Sequence, residues 1–461
     1  MNERRGRPPS PFRRGAHRCA DPGPRATGDR AWPLTGPWAP LTIPRLSTAD
    51  PYASLRFGEY RAFLAAMSAI YLATQIQGAV LGWQVYLLTS DPFALGLVGL
   101  AEAVPFLALT LVGGWAADRA DRRRVSLLSF GAVGLSGLAL LLVSLGRPGP
   151  VLPLYGAQVL AGIGRAFFRP ASAALGSELV PRAHYQNAAS WRSSLFHAAM
   201  VLGPAVGGGL IALGGPRLAY GVVVGLSATG LALMATVAPR PRPAGAAGPI
   251  GAGLSEGIRF VFSQPILLGA LSLDLFAVLF GGATALLPVF ARDLLGVGEV
   301  GFGFLRAAPA VGSILMALAL ARYGSFGRAG RLLLWCVAGF GVTWMLFAVS
   351  RSYALSLALL VVGGALDGVS VVLRGTLVQL WTPQAMMGRV AAVNSFFIGS
   401  SNELGAFESG LAARLLGVVP SVLFGGAMTL VTVGWVAWRA PALRRLRHLA
   451  PEGADGHDHP A

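Results

Sequence analysis

The chain has 461 residues, of which 54% are hydrophobic and only 12% are charged, and its formal net charge is +17. Soluble globular domains carry about 25% charged residues, so this composition excludes an ordinary soluble fold and favours an all-α membrane protein. All 37 basic residues are arginines. Their exclusive use rules out the lysine of an ATP-binding P-loop and the Schiff-base lysine of a pyridoxal enzyme.

Residues 1–60 are rich in Arg, Pro and Gly and lack periodicity, which predicts a disordered cytoplasmic N-terminal tail. The first apolar run begins near Phe63 and is too long for the hydrophobic region of a secretory signal, so no signal is expected. An alternative is that translation starts downstream and part of this tail is never made. A peptide from residues 1–40 of the native protein would contradict that alternative.

Twelve apolar segments follow, each long enough to cross a bilayer at about 20 residues per span. Spans 1–6 are predicted at 63–89, 94–117, 125–145, 151–172, 188–214 and 218–238. Spans 7–12 are predicted at 266–291, 301–321, 331–349, 353–381, 390–416 and 419–438. The stretch Gly253–Ser263 between the two groups has the pattern of a short amphipathic surface helix. The predicted divisions are an N-terminal six-helix half (61–238), a cytoplasmic linker (239–265), a C-terminal six-helix half (266–438) and a cytoplasmic C-terminal tail (439–461).

The arginines are distributed unevenly around these spans. If both tails are cytoplasmic, 31 of the 37 arginines fall on the cytoplasmic side or in the cytoplasmic half of a span. The remaining six are Arg147, Arg217, Arg292, Arg306, Arg351 and Arg414. Cytoplasmic loops of membrane proteins carry an excess of basic residues, so both termini are predicted to be cytoplasmic. Because the positive charge follows the topology, it does not predict a nucleic-acid partner.

Two short motifs recur along the chain. Residues 99–105 in span 2 read GLAEAVP, and residues 303–309 in span 8 read GFLRAAP, at an offset of 204. Residues 202–208 in span 5 (LGPAVGG) and 404–410 in span 11 (LGAFESG) share their leucine and their first and last glycines, at an offset of 202. The matching order and nearly equal offsets predict two six-helix pseudo-repeats, with a substrate site between them near the bilayer midplane.

The loop between spans 2 and 3 carries the most specific motif. Residues 113–125 read GGWAADRADRRRV, in which two glycines precede an Asp-Arg pair and a basic cluster. Asp118 lies at the cytoplasmic mouth, where it is placed to bind a helix N-terminus of the other half, because the helix dipole favours an anion there. We predict a cytoplasmic gate made by Gly113, Gly114, Asp118, Arg119, Asp121, Arg122 and Arg123. The alternative is an ordinary basic loop, and the corresponding loop at 321–324 lacks the aspartate.

Span 5 contains a Gly-Pro-x-x-Gly-Gly motif formed by Gly203, Pro204, Gly207 and Gly208. Proline removes a backbone donor and kinks a helix, while the glycines allow neighbouring helices to approach closely and rock. The alternative is a packing kink that has no bearing on the direction of transport.

The loop motif resembles the signature loop of the major facilitator superfamily, and the span 5 motif resembles the one associated in that superfamily with antiporters, that is, exporters. Within the superfamily the chain is most similar to the enterobactin-exporter-like branch, from about residue 55 to residue 440. That similarity rests on the segments 83–86 (WQVY), 165–171 (RAFFRPA), 273–276 (LDLF) and 382–390 (TPQAMMGRV). The resemblance implies the major facilitator fold and efflux of small molecules. The branch has diverse substrates, so it implies no siderophore for this chain.

Ionisable residues inside the spans are further functional candidates, because each costs about 3 kcal/mol or more when it faces lipid. A carboxyl group in a dry cavity can bind and release a proton, as a proton-coupled antiporter requires. The proton-coupling candidates are Glu102, Asp274, Asp367, Glu403 and Glu408. The alternative is that they pair structurally with arginines of the spans, namely Arg165, Arg192, Arg306, Arg374 or Arg414.

Polar and aromatic residues of the spans are candidates for lining the substrate pocket. Gln77 and Gln84 are seven residues apart and share a helix face, which favours a polar stripe. The substrate-pocket candidates are Gln75, Gln77, Gln84, Arg165, Phe276 and Arg374. For the phenylalanines, plain helix packing is the alternative.

We therefore predict a twelve-helix major facilitator protein that exports an amphiphilic small molecule, drug-like or siderophore-like, by alternating access with proton antiport. It is expected in the cell membrane of a bacterium, as a monomer surrounded by lipid. No enzyme activity, cofactor or metal is predicted, because the sequence contains no nucleophile–base set, phosphate loop or paired metal ligands. The alternatives are an uptake symporter of the same fold and a transport-incompetent membrane sensor or scaffold.

Overall fold

The computed structural model describes residues 50–146, 149–240, 252–323 and 328–446, and these are almost entirely helical. The first helices are α1 Gly58–Thr89, α2 Pro92–Arg119, α3 Arg122–Leu145, α4 Leu152–Glu178 and α5 Tyr185–Thr236. The later helices are α6 Ala252–Ser263, α7 Pro265–Gly281, α8 Gly298–Tyr323, α9 Ala329–Val349, α10 Tyr353–Trp381, α11 Met387–Leu416, α12 Val418–Arg439 and α13 Pro441–Arg445. Short turns at Ala283–Leu286, Leu287–Val289 and Phe290–Leu294 connect α7 to α8.

Helix α5 is too long for one membrane crossing. Its 52 residues would extend about 78 Å as a straight helix, more than twice a hydrocarbon core of about 30 Å. The chain bends at Gly214 and Gly215, where the φ of +69° at Gly215 is a left-handed value that favours glycine. Pro216 then begins the second arm. The two arms supply the spans predicted at 188–214 and 218–238.

Nine helical segments of the described chain are long and apolar enough to cross a membrane, judged by length and composition. α5 counts once among these nine, and α4 and α11 are not among them. Both of these helices are long enough, at 27 and 30 residues, but they carry charged residues, including Arg165 and Glu403. Counting α4, α11 and both arms of α5 gives the predicted twelve spans.

Two aspartates fix where α2 and α3 begin. Asp91 accepts a hydrogen bond from the backbone N–H of Phe93 at 2.9 Å, and Pro92 occupies the first helical position. Asp121 caps α3 in the same way through the N–H of Arg123, also at 2.9 Å. The signature loop is therefore only two residues long between α2 and α3, and Asp121 has a structural role in it.

The predicted tail boundary at residue 60 needs correction, although residues 1–49 lie outside the described chain. Ala53–Arg56 form a 3-10 turn, and Gly58 begins α1. The Ser54 hydroxyl donates to Asn187 Oδ1 of α5 at 2.5 Å, and Asn187 donates back to the carbonyl of Pro51 at 2.8 Å. Composition does not reveal these partners because they are more than 130 residues away in the sequence.

The predicted linker at 239–265 contains one helix in its described part. Residues 241–251 lie outside the description, and α6 spans Ala252–Ser263, close to the predicted amphipathic stretch. Glu256 of α6 forms an ion pair with Arg389 at the start of α11. α6 is thereby attached to the second group of spans.

The spans pack as two sets with corresponding contacts, which we call the first set (α1–α5) and the second set (α7–α12). In the first set α2 packs on α4, and α3 packs on α4 and α5; in the second, α8 packs on α10, and α9 on α10 and α12. Gly162 of α4 lies against Pro105 of α2, and Gly364 of α10 lies against Pro309 of α8. These positions differ by 202 and 204, the two offsets of the sequence repeat. The main contacts between the sets join α2 to α11 and α5 to α8.

Successive spans run in opposite directions, so the bundle has two sides. We call the side on which α1 begins the tail side, and the opposite side the far side. α2 and α8 begin on the far side, while α11 and the first arm of α5 (185–213) end there.

Candidate functional site

A charged cluster connects the two sets in the middle of the bundle. Arg165 of α4 donates from Nη1 to Oε1 of Glu102 on α2 and, at 3.1 Å, to Oε1 of Glu403 on α11. Gln158 of α4 donates to the other carboxylate oxygen of Glu102. The Arg165 side chain is 34% exposed in spite of these partners. One guanidinium group therefore binds a carboxylate of each set and is still partly exposed.

Arg306 of α8 is the second cation of this cluster. Its guanidinium interacts electrostatically with Glu403. It also reaches α1, because Nη2 lies 3.7 Å from the position that a side chain on Gly78 would occupy. Glu403 is thus attracted by an arginine of the first set and by an arginine of its own set. Glu102 and Arg306 occupy equivalent positions of the two repeats, so the repeat contributes opposite charges to one site.

A second ion pair lies within the second set. Arg374 of α10 binds Asp274 of α7, and the two side chains are only 6% and 7% exposed. Arg374 also donates from Nε to the carbonyl of Ser370 at 3.2 Å. Arg374 shares a helix face with Asp367, but its carboxylate partner is on α7. The buried position and the two partners indicate a bond that holds α7 to α10.

Asp367 and Glu408 differ from the other intramembrane carboxylates. Among the residues that the structure describes, neither has an ion-pair partner. Asp367 lies in the middle of α10, partly buried, and no described group donates a hydrogen bond to it. Of the five candidates, then, Glu102, Asp274 and Glu403 are paired with arginines in this conformation.

On the far side the two sets touch backbone to backbone. A Cβ added to Gly208 of α5 would lie 2.5 Å from the carbonyl oxygen of Glu299 and 3.0 Å from Cα of Gly303, both on α8. A Cβ added to Gly410 of α11 would lie 2.7 Å from Cα of Gly96 on α2. Only glycine permits helices to approach this closely, so these residues allow the far side to close.

Polar and aromatic contacts reinforce the same closure. Asp91, before α2, pairs with Arg414 of α11 at 3.4 Å. The Arg414 guanidinium also lies over the ring of Phe93, 5.1 Å from its centroid. Tyr86 of α1 donates a hydrogen bond to Asp293, in the turn that leads to α8. Each contact joins the first set to the second at the far side.

The Gly-Pro-x-x-Gly-Gly motif of α5 faces both α1 and α8. Gly203 lies so close to Gln75 of α1 that a side chain there would collide with it. A Cβ on Gly207 would lie 3.6 Å from Cβ of Ala79, also on α1. Pro204 presents its carbonyl oxygen to α8. The motif therefore lies at the contact between the sets, and its link to the direction of transport stays a prediction.

The predicted gate motif lies at the tail side. Arg122 binds Glu178 at the end of α4, and Arg123 donates to the carbonyl of Ala235, near the end of α5, at 2.7 Å. Both partners belong to the first set, the same set as the motif. The side chain of Asp118 lies outside the described residues. A latch to the second set therefore stays a prediction.

Three other positions of the motif have distinct surroundings. Gly113 lies directly against the backbone of Ala166 on α4, whereas no atom lies within 4 Å of a Cβ placed on Gly114. The Arg119 guanidinium lies over the ring of Trp115, 4.9 Å from its centroid. Gly113 is therefore the glycine that brings α2 close to α4.

Two of the pocket candidates are engaged inside the first set. Gln77 donates to Ser136 Oγ of α3 at 2.9 Å. Gln84 donates to Ser144 Oγ at 3.0 Å and accepts a hydrogen bond from Tyr220 at 2.8 Å. The two glutamines share a face, as predicted, and that face is directed at α3 and the second arm of α5. Their role in a substrate pocket stays a prediction.

The other pocket candidates lie in different parts of the bundle. Gln75 packs behind Gly203, and Phe276 stacks on Phe280 along α7 with 6.4 Å between ring centroids. Arg374 is buried in its pair with α7, whereas Arg165 is the candidate that lies in the central cluster. Among the described candidates, Arg165 therefore combines charge, accessibility and contact with both sets.

Sequence reasoning missed several residues of this region. Gln158 binds Glu102, and the ring of Phe106 lies 5.6 Å from the Arg165 guanidinium carbon. Arg169, one turn beyond Arg165, is exposed and has no anionic partner among the described residues. The i, i+4 spacing of two arginines within an apolar span was a usable signal for Arg169. No local pattern distinguished the glutamine or the phenylalanine.

The chain is similar to known proteins both in sequence and in structure. The family described as transmembrane secretion effector matches residues 49–455. The enterobactin exporter EntS of Shigella boydii serotype 18 and that of Escherichia coli O139:H28 are each 28% identical over 399 residues, which cover 85% of this chain and 94% of the relative. Among solved structures, a D-xylose–proton symporter superimposes with a TM-score of 0.65 at 15% identity, covering 84% of this chain and 99% of that one.

A second solved structure agrees with this result. A bacterial homologue of the human lysosomal transporter Spinster, in an inward-facing and occupied conformation, gives a TM-score of 0.64 at 16% identity and covers 86% of this chain and 97% of its own. At such low identity these structures establish the fold alone. The chain has the predicted major facilitator fold.

Proposed function

Because this chain belongs to the transmembrane secretion effector family of major facilitator transporters, we propose that it exports an amphiphilic small molecule in exchange for protons. As a family member it is a multi-pass transporter of the inner membrane and not an enzyme. The exporter activity of its relatives and the motif of α5 at the contact between the sets support export. With the arginine distribution, they support cytoplasmic termini, so that the tail side faces the cytoplasm.

The observation that carries the proposal is the position of Arg165 between Glu102 and Glu403. The bond to Glu102 lies within the first set, whereas the bond to Glu403 crosses to the second. Rotation of one set against the other therefore breaks only the second bond. A buried carboxylate that loses one of its counter-ions binds a proton more readily, because its negative charge is then less well compensated. Movement and protonation are thereby coupled at Glu403.

The contacts on the far side support transport by alternating access. In this conformation the glycines of α2, α5, α8 and α11 bring the sets together there. Substrate enters from the tail side and reaches the central cluster, where the Arg165 side chain is partly exposed and Arg169 follows one turn further along α4. Separation of the far-side contacts then exposes the cluster to the outside, and rigid sets rocking about a central site are the transport mechanism of this fold.

The proposal is tested by proton flux in inverted membrane vesicles that carry a pH-sensitive dye. Cationic drugs, macrolides and siderophores are added in turn, and a substrate is expected to dissipate the proton gradient. Glu403→Gln should lose this response, since a neutral amide cannot carry the proton. Asp118→Asn tests the gate motif in parallel, and Glu408→Gln tests the other candidate carboxylate of the same helix, which should keep the response if Glu403 carries the proton.

The direction of flux separates the alternatives. An exporter accumulates substrate inside inverted vesicles, whereas an uptake symporter removes it. Transport that ignores the proton gradient would contradict proton antiport. A well-inserted protein that moves no compound of the panel in either direction would favour the sensor or scaffold.

A further inference from the structure

In the first set, the ion pair between Glu102 and Arg165 lies beside a close crossing of α2 and α4, and this arrangement is called the framework below. Glu102 precedes Pro105 of α2 by three residues, and Arg165 follows Gly162 of α4 by three residues. Gly162 lies directly against Pro105 and the carbonyl of Glu102. Glu102 and Arg165 lie on opposite sides of this crossing point. Along the axes of the two parallel helices they are about six residues, or about 9 Å, apart. The arginine spans this separation and binds the glutamate.

The second set repeats this framework with the charges exchanged. Arg306 precedes Pro309 of α8 by three residues, and Asp367 follows Gly364 of α10 by three residues. Gly364 lies directly against the backbone of Pro309, whereas its counterpart Gly162 lies against the ring of Pro105 and the carbonyl of Glu102. The cation is now on the first helix of the crossing and the anion on the second. The framework therefore places Arg306 and Asp367 at the separation that an arginine spans in the first set.

The two pairs are in different states. Glu102 and Arg165 are bonded, whereas Arg306 and Asp367 are not. Arg306 instead interacts with Glu403, and Asp367 has no partner in the described chain. Because α8 and α10 belong to the same packed set, Asp367 remains near Arg306 however the two sets move. Arg306 thus interacts electrostatically with one carboxylate, Glu403, while a second carboxylate, Asp367, has no partner in the described chain.

We propose that Arg306 leaves Glu403 for Asp367 when the far side opens, and that Glu403 takes up the coupling proton in that step. The inference rests on the proton antiport proposed above. Opening removes Arg165 from Glu403, which then binds a proton from outside and no longer attracts Arg306. Arg306 moves to Asp367, so each set then contains one closed ion pair. On closure both arginines return to Glu403, and its proton leaves toward the tail side.

The direction of proton movement agrees with export. Glu403 is protonated while the site is open to the far side, and it is deprotonated when the arginines return in the conformation open to the tail side. Protons therefore move inward as substrate moves outward. Asp367 acts as a positioning residue, because it holds the arginine that would otherwise oppose protonation of Glu403.

Other charged groups lie around Glu403, Arg306 and Asp367 and influence how Glu403 binds its proton. α2 and α4 face Glu403 with Glu102 and Arg165, and α4 also carries Arg169. On the side of Asp367, Arg374 of the same helix is neutralised by Asp274 of α7. Of the remaining packed helices, α5 carries Arg192, His197 and Arg217, and α1, α9 and α12 have charged residues only at their tail-side ends.

The experiment measures the far-side distance between the sets as a function of pH. Spin labels replace Leu145 at the end of α3 and Leu415 near the end of α11, two exposed far-side positions, in full-length protein in lipid nanodiscs. The wild type should shift to longer distances as the pH falls. Glu403→Gln, which mimics the protonated residue, should raise the ratio of open to closed protein about tenfold at neutral pH.

The variants at Asp367 are decisive. Asp367→Asn should keep the short distance at low pH and reverse the opening caused by Glu403→Gln, whereas Asp367→Glu should restore the wild-type response. In an Arg306→Gln background, Asp367→Asn should have no further effect, which tests the pair even if the single asparagine variant folds poorly. Glu408→Gln should behave as the wild type.

The contrary outcomes separate two failures. If the wild type responds to pH and Asp367→Asn responds equally, the exchange of partners is wrong and proton antiport stands. A loss of response in Glu408→Gln, with an unchanged response in Glu403→Gln, overturns the role of Glu403. If the far-side distances of the wild type do not change with pH, the proton antiport itself is wrong, and so is this inference.

Discussion

Replacing Gly208 by alanine is expected to open the far side of the transporter. The added Cβ would lie 2.5 Å from the carbonyl oxygen of Glu299 and 3.0 Å from Cα of Gly303. Both are backbone atoms of α8, so no side-chain rotation relieves the contact. α5 and α8 must separate, and they belong to different sets. Overpacking by a methyl group in a tight interface costs about 1–3 kcal/mol.

This cost falls on the closed conformation alone, because opening moves α8 away from Gly208. A difference of about 1–3 kcal/mol changes the ratio of two conformations by roughly 5- to 150-fold. Gly209 is the matched control, since no atom lies within 4 Å of a Cβ placed there. Alanine also favours the helix over glycine by about 1 kcal/mol, and both substitutions share that gain.

The assay is electron–electron double resonance between spin labels at residues 145 and 415, with thermal unfolding as a check on the fold. Gly208→Ala should show a larger fraction of long distances than Gly209→Ala under identical conditions. Equal distance distributions in two folded variants would refute the assignment of the α5–α8 contact to the closed state. A fold lost only in Gly208→Ala would show that the contact is needed in every conformation.

Three further predictions concern stability and closure. Asp274→Asn leaves the buried Arg374 without its counter-ion and should lower the free energy of unfolding by about 3–5 kcal/mol in detergent. Adding Arg374→Gln should partly restore the stability, and an unchanged melting temperature of Asp274→Asn would contradict the prediction. Arg414→Gln removes an exposed far-side ion pair worth at most about 1 kcal/mol, so it should open the far side no more than about fivefold, and only at low salt, in the same distance measurement. Gly364→Ala should lower the melting temperature because its Cβ would collide with the backbone of α8, whereas Gly375→Ala, with no atom within 4 Å, should not.

The fold was largely predictable because hydrophobicity along a chain is a local property. The twelve spans follow from runs of about 20 apolar residues, and these are found even in α4 and α11, where Arg165 and Glu403 reduce the apolar character. The repeat was also accessible from sequence, since GLAEAVP and GFLRAAP keep their glycine and proline at one offset. The same offset aligns Glu102 with Arg306.

The sequence predicted which charged residues belong to the candidate site, but not how they are paired. Any charge inside a span suggests function or pairing, but the sequence left open which arginine each carboxylate binds. Arg374 follows Asp367 by seven residues and so shares its helix face, yet its carboxylate partner is Asp274 on α7. In the same way, the face shared by Gln77 and Gln84 was predictable, whereas its direction toward α3 was not.

Sequence alone therefore determined the membrane class, the number of spans, the repeat and the intramembrane charges, because each depends on residues close together in the chain. Tertiary structure decided how these charges are paired and where the sets touch. The bond from Arg165 to Glu403 joins residues 238 positions apart, and the close contact of Gly208 with α8 depends on the crossing of two separate helices. Such relations depend on distances in space, which no local pattern of residues specifies.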